Sequence, residues 1–336
     1  MSGVDIMSDL NIKILDLIDK KYTINEMIEE LNISREQLYK AFRKMRLLGM
    51  SFNKKYYGSG DIIYSQNKEV YIPPKHNHVN IITEPNTDIF RAIFISDLHA
   101  GSEFECVDAW HKIYDYCILN NIHVILIVGD FLDGINVGRA DSKLHTHPLE
   151  QMEYATRNYP FNKDILNFVM LGNHDLDSLA SFGIDFAEYL NSFRHDIVPI
   201  GYGHGFVNIK NDKILLAHPL RTGVGYTHDL TSNYLLVKGH QHLAKTIISA
   251  NCNCSLVVPS LSNLFLTENE FMPGAIDFTI KFRGGYFDTI YYEHLLVGDK
   301  IYAISSTQYN VMHDKNRNFD EHIKYEECLS KRKIKK

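Results

Sequence analysis

The chain has 336 residues, room for one large domain and a small companion, and its 45% hydrophobic and 23% charged content is that of a globular protein rather than a disordered or fibrous one. No apolar run approaches the ~20 residues of a membrane helix, Met1 to Leu10 lacks the apolar core of a signal peptide, and the five cysteines follow no disulfide spacing, so membrane and disulfide-scaffold classes are excluded and a reducing, cytoplasmic setting is expected. The net charge of -6 excludes no partner, because a basic patch can sit within an acidic total.

Residues 9–49 predict three helices. Leu10, Ile14, Leu17 and Ile18 follow helical spacing; Thr23 with Glu26 forms a capping box ahead of Ile24, Met27, Ile28 and Leu31. After a turn at Asn32-Ile33, Ser34 with Gln37 opens a third helix that carries Leu38, Ala41, Phe42, Met45 and Leu48 and stops at Gly49. Two β-type runs, Met50 to Tyr57 and Ile62 to Ser65, flank Gly58-Ser59-Gly60-Asp61 and predict a hairpin. Helix-turn-helix followed by hairpin has the form of a winged helix. Arg35, Lys40, Arg43, Lys44, Arg46, Lys54 and Lys55 stand against the single acid Glu36, on the expected recognition helix and wing, and such a strip suits a DNA backbone. A helical module that docks a protein partner would carry the same solvated basic face.

Pro73-Pro74 and Pro85 mark residues 67–90 as a linker with room for one edge strand. From Ala92 the pattern is strand, loop, helix, strand: Ala92 to Ser96, a helix over Val107 to Leu119, then His123 to Val128, Asn167 to Leu171, Lys213 to Ala217 and Tyr234 to Lys238 as buried strands. Each of the five strands ends at a polar residue suited to bind metal: Asp97, Asp130, Asn173, His218 and His240. Ligands bind beyond the carboxyl ends of strands in α/β folds, so the five ends argue for one site. The stretch from Gly134 to Lys163 is long for a connection and reads as a lid, a groove wall or a passive insertion. Ala275 to Phe282, Tyr286 to Leu296 and Lys300 to Ser306 read as strands extending a sheet, and Lys331 to Lys336 as a basic tail.

The residue types have chemical reasons. Asp97 and His99, two apart, can face the same side of a strand end and share one metal. Asp130 offers two oxygens able to bridge two cations at the ~3.5–4 Å used for in-line displacement at phosphorus. Asn173 supplies a carbonyl oxygen, and His218, His240 and His242 supply imidazole nitrogens. A donor set without thiolate suits two divalent ions, Mn²⁺ first, with Fe, Zn²⁺ or Ni²⁺ as alternatives.

The series Asp97-Leu98-His99, Gly129-Asp130-Phe131-Leu132-Asp133, Gly172-Asn173-His174-Asp175, His218 and Gly239-His240-Gln241-His242 resembles the calcineurin-like metallophosphoesterases over Arg91 to Ser262. The resemblance implies an α/β fold, a β-sandwich flanked by helices, with Asp97, His99, Asp130 and His242 on one metal and Asp130, Asn173, His218 and His240 on the other. It implies that a hydroxide shared by the metals is the nucleophile and that His174, oriented by Asp133, is the general acid for the leaving oxygen. Phosphoprotein phosphatases of that family carry Arg-Gly after the second Asp of the Gly-Asp motif and Glu after Asn-His; here Gly134-Ile135 and Asp175 stand there, and the local sequence is more similar to the nuclease branch.

The expected organisation is a winged helix over 1–66, a linker over 67–90, a metallophosphoesterase domain over 91–310 and a basic tail over 311–336. The expected function is a two-metal phosphodiesterase, a DNA exo- or endonuclease. Two alternatives remain: a phosphodiesterase or phosphatase for a nucleotide or other small phosphoester with the winged helix as a docking module, and a DNA-binding regulator with a structural phosphoesterase domain. DNA is the expected partner, with a second copy or a protein partner possible through the N-terminal module and no membrane contact.

Overall fold

The computed structural model describes residues 9–47, 50–67, 78–83, 87–134, 147–182, 184–220, 235–248, 254–263 and 272–311. It opens with the three expected helices, α1 (Asp9–Asp19), α2 (Ile24–Leu31) and α3 (Arg35–Leu47). Both capping boxes form: the Thr23 and Glu26 backbone N–H groups donate to each other's side chains, as do those of Ser34 and Gln37. The hairpin follows as β1 (Ser51–Tyr57) and β2 (Ile62–Asn67), paired antiparallel.

This hairpin is not a free wing. Within the stretch read as a linker, β3 (His78–Ile82) forms a strand that pairs in parallel with β1 on one side and with β8 (His204–Ile209) on the other. Among the described residues this gives an eight-stranded sheet in the order β11-β12-β10-β9-β8-β3-β1-β2, with β9 (Asp212–Ala217), β10 (Leu235–Lys238), β11 (Lys245–Ile248) and β12 (Cys254–Val257). The sequence signal for β3 was weak because Val79, Ile81 and Ile82 lie between Pro-rich segments, and strand pairing outweighed that local composition.

The second sheet runs β15-β14-β13-β4-β5-β6-β7. Its centre is β4 (Ile89–Ile95), β5 (Val124–Val128), β6 (Leu166–Leu171) and β7 (Ile197–Tyr202), all parallel; β13 (Gly274–Arg283), β14 (Tyr286–Val297) and β15 (Ile301–Asn310) extend it antiparallel from β4. Alternation along β4 shows why both faces are apolar. Phe90, Ala92 and Phe94 point into the core between the sheets, and Ile93 and Ile95 into a second core under α4 (Val107–Leu119), α5 (Pro148–Asn158) and α7 (Phe186–Phe193). Helix α5 occupies the second half of the expected lid, with Met152 and Ala155 fully buried; residues 135–146 and the tail from 312 onward lie outside the described residues.

The inter-sheet core continues without a break into the N-terminal helices. Phe42 stacks on Tyr64 at 4.3 Å and meets Phe52 edge-on, and Tyr56 of β1 meets Phe168 of β6 edge-on at 5.3 Å. Ile14, Met27, Leu38 and Met45 belong to the same buried cluster as Phe94, Leu126 and Phe278. No helix among the described residues is long and apolar enough to cross a membrane. Because core and sheet are shared, we expect one cooperative calorimetric transition for the N-terminal helices and the sandwich. Two separated transitions, the first removed by deleting residues 1–66, would show an independent module.

Candidate metal centre

Each donor sits just past a strand: Asp97 follows β4, Asp130 follows β5, Asn173 follows β6 and begins α6 (Asn173–Phe182), His218 follows β9 and His240 follows β10. The five strands divide between the sheets, three in one and two in the other. The site therefore lies across the open carboxyl end of the sandwich and is closed from both layers.

The local backbone is costly there. Among the described residues nine non-glycine residues hold a left-handed φ, and five of them are donors: Asp97 (55°), His99 (48°), Asp130 (50°), His240 (73°) and His242 (56°). Each such residue costs about 1–2 kcal/mol, and strain of this kind persists only where the surrounding structure enforces it. The turns re-aim side chains from the strand ends into one point.

The motif glycines leave space for neighbouring donors. A Cβ on Gly172 would lie 2.2 Å from Asp130 Oδ1, one on Gly239 2.1 Å from the Val128 carbonyl and 2.7 Å from the His218 ring, and one on Gly129 2.1 Å from the same ring. Gly129 also needs its φ of 88°. At Gly172 and Gly239 the requirement is volume alone.

Among the described residues three groups of side chains could hold a metal: Asp97 with His99 and His242, Asp130 with His218 and His240, and a group that shares His99 with the first and adds Asp133 and His174. His242 Nε2 lies 3.0 Å from Asp97 Oδ1 and 3.4 Å from His99 Nε2, and His218 Nε2 lies 2.9 Å from Asp130 Oδ2. Asp97 Oδ2 accepts from the His240 backbone N–H at 3.0 Å and from the Ser96 hydroxyl. Asp130 Oδ1 accepts from the His174 N–H at 3.0 Å.

The residues fit a metal pair. Asn173 Oδ1 is buried with no hydrogen-bond partner, an expensive arrangement for an oxygen with lone pairs turned inward. His218 Nδ1 is 2.7 Å from the Val128 carbonyl; donating there leaves the Nε2 lone pair aimed at the carboxylates, the usual backing of a ligating imidazole. Electrostatics point the same way. Burial would raise both carboxylates, yet the imidazoles of His242 and His218 bring Asp97 down to about 2, and those of His218 and His174 bring Asp130 further down. Burial would lower His218, yet Asp130 and Asp97 push it up to about 9. The pocket calls for positive charge beside the two carboxylates.

The Asp133 carboxylate, expected beside His174, has its Oδ1 3.2 Å from His99 Nδ1, in a group that brings His99, Asp133 and His174 together. His174 Nδ1 instead lies 2.6 Å from the Asp133 backbone carbonyl. His174 is half-buried beside the clusters, with Nε2 3.8 Å from Asp130 Oδ2. Burial would lower its pKa, but Asp130, the Asp133 carbonyl and the Asp133 and Asp175 charges raise it.

Asp175 has a role that motif comparison passed over. Fully buried, it accepts from the backbone N–H groups of Leu132 (2.8 Å), Phe131 (3.1 Å) and Gly172 (2.8 Å), tying the Asp130 turn to the Asn173 turn. Burial and the Asp130 charge push it up to about 7 against those three donors. Its position at the N-terminal end of α6, directly after Asn173-His174, was the available signal.

The basic strip is spread out. Lys55 and Lys40 are exposed, while Lys54 is half-buried with its ammonium 5.8 Å from the Tyr64 ring centre. Arg35 turns inward, donating to Asn25 Oδ1 at 2.5 Å and lying over the Phe161 ring at 5.2 Å. The side chains of Arg43, Lys44 and Arg46 lie outside the described residues. At the hairpin tip, a Cβ on Gly60 would fall 2.2 Å from the Asp164 carbonyl, so the tip is seated against the sandwich.

A family model described as calcineurin-like phosphoesterase matches residues 90–264. A comparison with curated proteins finds no match. Among solved structures the chain is similar to Yfce, a phosphoesterase from E. coli, at 16% identity and a TM-score of 0.40, covering 66% of this chain and 100% of that one. It is similar to a dimetal phosphatase from Danio rerio at 9% identity and a TM-score of 0.43, covering 67% and 100%, and to the Pseudomonas putida nuclease MPE at 16% and 0.31, covering 63% and 87%. Likenesses at this distance say nothing about substrate.

Gly172→Ala and Gly239→Ala each place a methyl group against a donor or its backing. We expect each variant to lose at least one bound metal per chain by elemental analysis and to lose the rise in Tm that Mn²⁺ gives the unaltered protein. Retention of both ions at full stoichiometry would show that the glycines do not shape the centre.

Proposed function

The chain belongs to the calcineurin-like phosphoesterase family, and from that premise we propose that it is a metal-dependent phosphodiesterase acting on DNA, an exo- or endonuclease. The observation that carries the hydrolytic reading is the convergence of Asp97, His99, Asp130, Asn173, His218, His240 and His242 at one end of the sandwich, with His174 beside them.

Two divalent cations held there, Mn²⁺ in this proposal with Fe, Zn²⁺ or Ni²⁺ as alternatives, would supply Lewis acidity toward a phosphoryl oxygen and toward water. His174 acts as the general acid. Its Nδ1–H is committed to the Asp133 carbonyl, so the proton it can give away sits on Nε2, the nitrogen facing the clusters. The raised pKa keeps that proton in place until the leaving oxygen develops charge. Asp133, through His99, and Asp175, through the two turns it ties together, are positioning residues.

DNA as substrate is supported by the cations of α3 and β1. Lys40 and Lys55 are exposed on the N-terminal module. Strand β6 separates the region of α3 from the metal clusters by six residues, about 20 Å. A duplex repeats over roughly 34 Å per turn, so one bound duplex reaches both. A second reading has its own observation: the hairpin tip and Arg35 are seated against the sandwich, as in a module whose task is to dock, which fits hydrolysis of a nucleotide or other small phosphoester.

Mn²⁺-supplemented protein and its His174→Ala variant, assayed on labelled single- and double-stranded DNA beside cyclic nucleotides and bis-p-nitrophenyl phosphate, separate the readings. We expect metal-dependent DNA cleavage, slowed about 10²–10⁴-fold in His174→Ala with metal content unchanged. Turnover of the small diester with DNA left intact would move the assignment to the second reading. DNA binding with no turnover of any substrate would make the chain a regulator.

A further inference from the structure

A cleft of about 550 Å³ lies where α3 meets the C-terminal ends of α5 and α7, at the amino ends of β6 and β7. It is at the opposite end of the central sheet from the metal clusters, about 20 Å away by the length of β6. No role in the hydrolytic chemistry falls on it.

Its lining is unlike the rest of the chain in two respects. First, it is strongly cationic in a protein of net charge -6: Arg35, Lys40, Arg157 and Arg194 line it, and Asp196 is the one carboxylate that does. Arg194 satisfies Asp196 with bonds of 2.9 and 2.7 Å and also donates to the Thr156, Tyr159 and Pro160 carbonyls, so the groups that would repel an anion are already occupied. Arg157 pairs with Glu153 but remains largely open to solvent. Second, among the described residues two phenylalanines are exposed, Phe161 at 53% and Phe193 at 60%, and both line this cleft. The floor is held by Tyr39 stacked on His195, ring centres 3.5 Å apart, which fixes α3 against the sandwich.

Exposed aromatic rings, Phe161 backed on one side by Arg35 and Phe193 by Tyr189, beside guanidinium and ammonium groups are what a nucleotide needs, a flat base to stack and a phosphate to pair. The volume is that of a small-ligand pocket. We propose that this cleft binds a nucleotide unit, the base against Phe161 and Phe193 and the phosphate toward Arg157 and Lys40. The same chemistry is offered by a free mononucleotide and by one unstacked unit of a single strand. The ligand is held there and not hydrolysed, since every metal donor lies at the other end of the sheet.

The test uses the full chain in EDTA, so that binding at the metal clusters does not contribute. A 5′-fluorescein-labelled hexathymidylate is followed by anisotropy, with thymidine monophosphate and inorganic phosphate as competitors. We expect binding that weakens at least about tenfold in Phe161→Ala, Phe193→Ala and Arg157→Glu and returns in Phe161→Trp. Displacement by thymidine monophosphate places the free nucleotide in the cleft; displacement only by unlabelled oligonucleotide assigns the cleft to a strand. Mn²⁺-dependent turnover of bis-p-nitrophenyl phosphate should stay unchanged in all four variants, which also reports that they fold. The proposal is overturned if neither probe binds, if binding survives both phenylalanine-to-alanine substitutions, or if inorganic phosphate competes as well as the nucleotide. Failure of DNA cleavage would leave it standing, because cleavage and cleft binding are read separately.

Discussion

Two buried carboxylates facing each other across the end of a sandwich set the terms for much of this molecule. Asp97 and Asp130 have almost no contact with water, and imidazoles surround them. Burying like charges together is expensive unless positive charge comes with them. The left-handed turns, the glycines cleared of side chains and the Asp175 clamp all maintain a geometry that neither sheet would adopt alone. Strain of about 1–2 kcal/mol at each of five donors is tolerable because two large cores, one between the sheets and one under the helices, hold the strand ends in place.

The same logic explains the fixed position of the N-terminal helices. Their apolar faces alone form a small core, and a unit of that size is marginal without added burial. Here they gain it from the sandwich: β1 joins the sheet through β3, Tyr56 packs on Phe168, and Tyr39 stacks on His195. A segment with the order of a tethered binding module is thereby built into the catalytic body. Residues that would otherwise face outward, Arg35 and Tyr39, become part of an internal seam, and the seam creates the cationic cleft.

The central sheet consequently has two chemically distinct ends. At the carboxyl ends of its strands, carboxylates and imidazoles converge on a point suited to cations. At the amino ends, arginines and exposed phenylalanine rings surround a space suited to an anion with a flat ring. Strand polarity keeps the two apart, because loops after parallel strands all emerge on one side and the connections into them on the other.

Much was legible from the sequence because it depends on local rules. Capping boxes at Thr23 and Ser34 follow from side chains reaching backbone three residues away, and buried strands such as Val124 to Val128 follow from unbroken apolar runs. The seven donors were readable because each motif is contiguous. What was not legible depends on direction across space: Asp133 reaches His99, Asp175 ties two turns together, and Arg35 faces a ring 126 positions away in sequence (161 − 35). The strand β3 belongs with these, since its pairing partners β1 and β8 are distant in the chain. By itself the sequence determined the run of candidate metal donors and many of the helices and strands, because hydrogen bonding and apolar periodicity act over a few residues. Only the tertiary structure decided which carboxylate backs which imidazole and where the N-terminal helices rest, because those choices belong to contacts made after the sheets have closed.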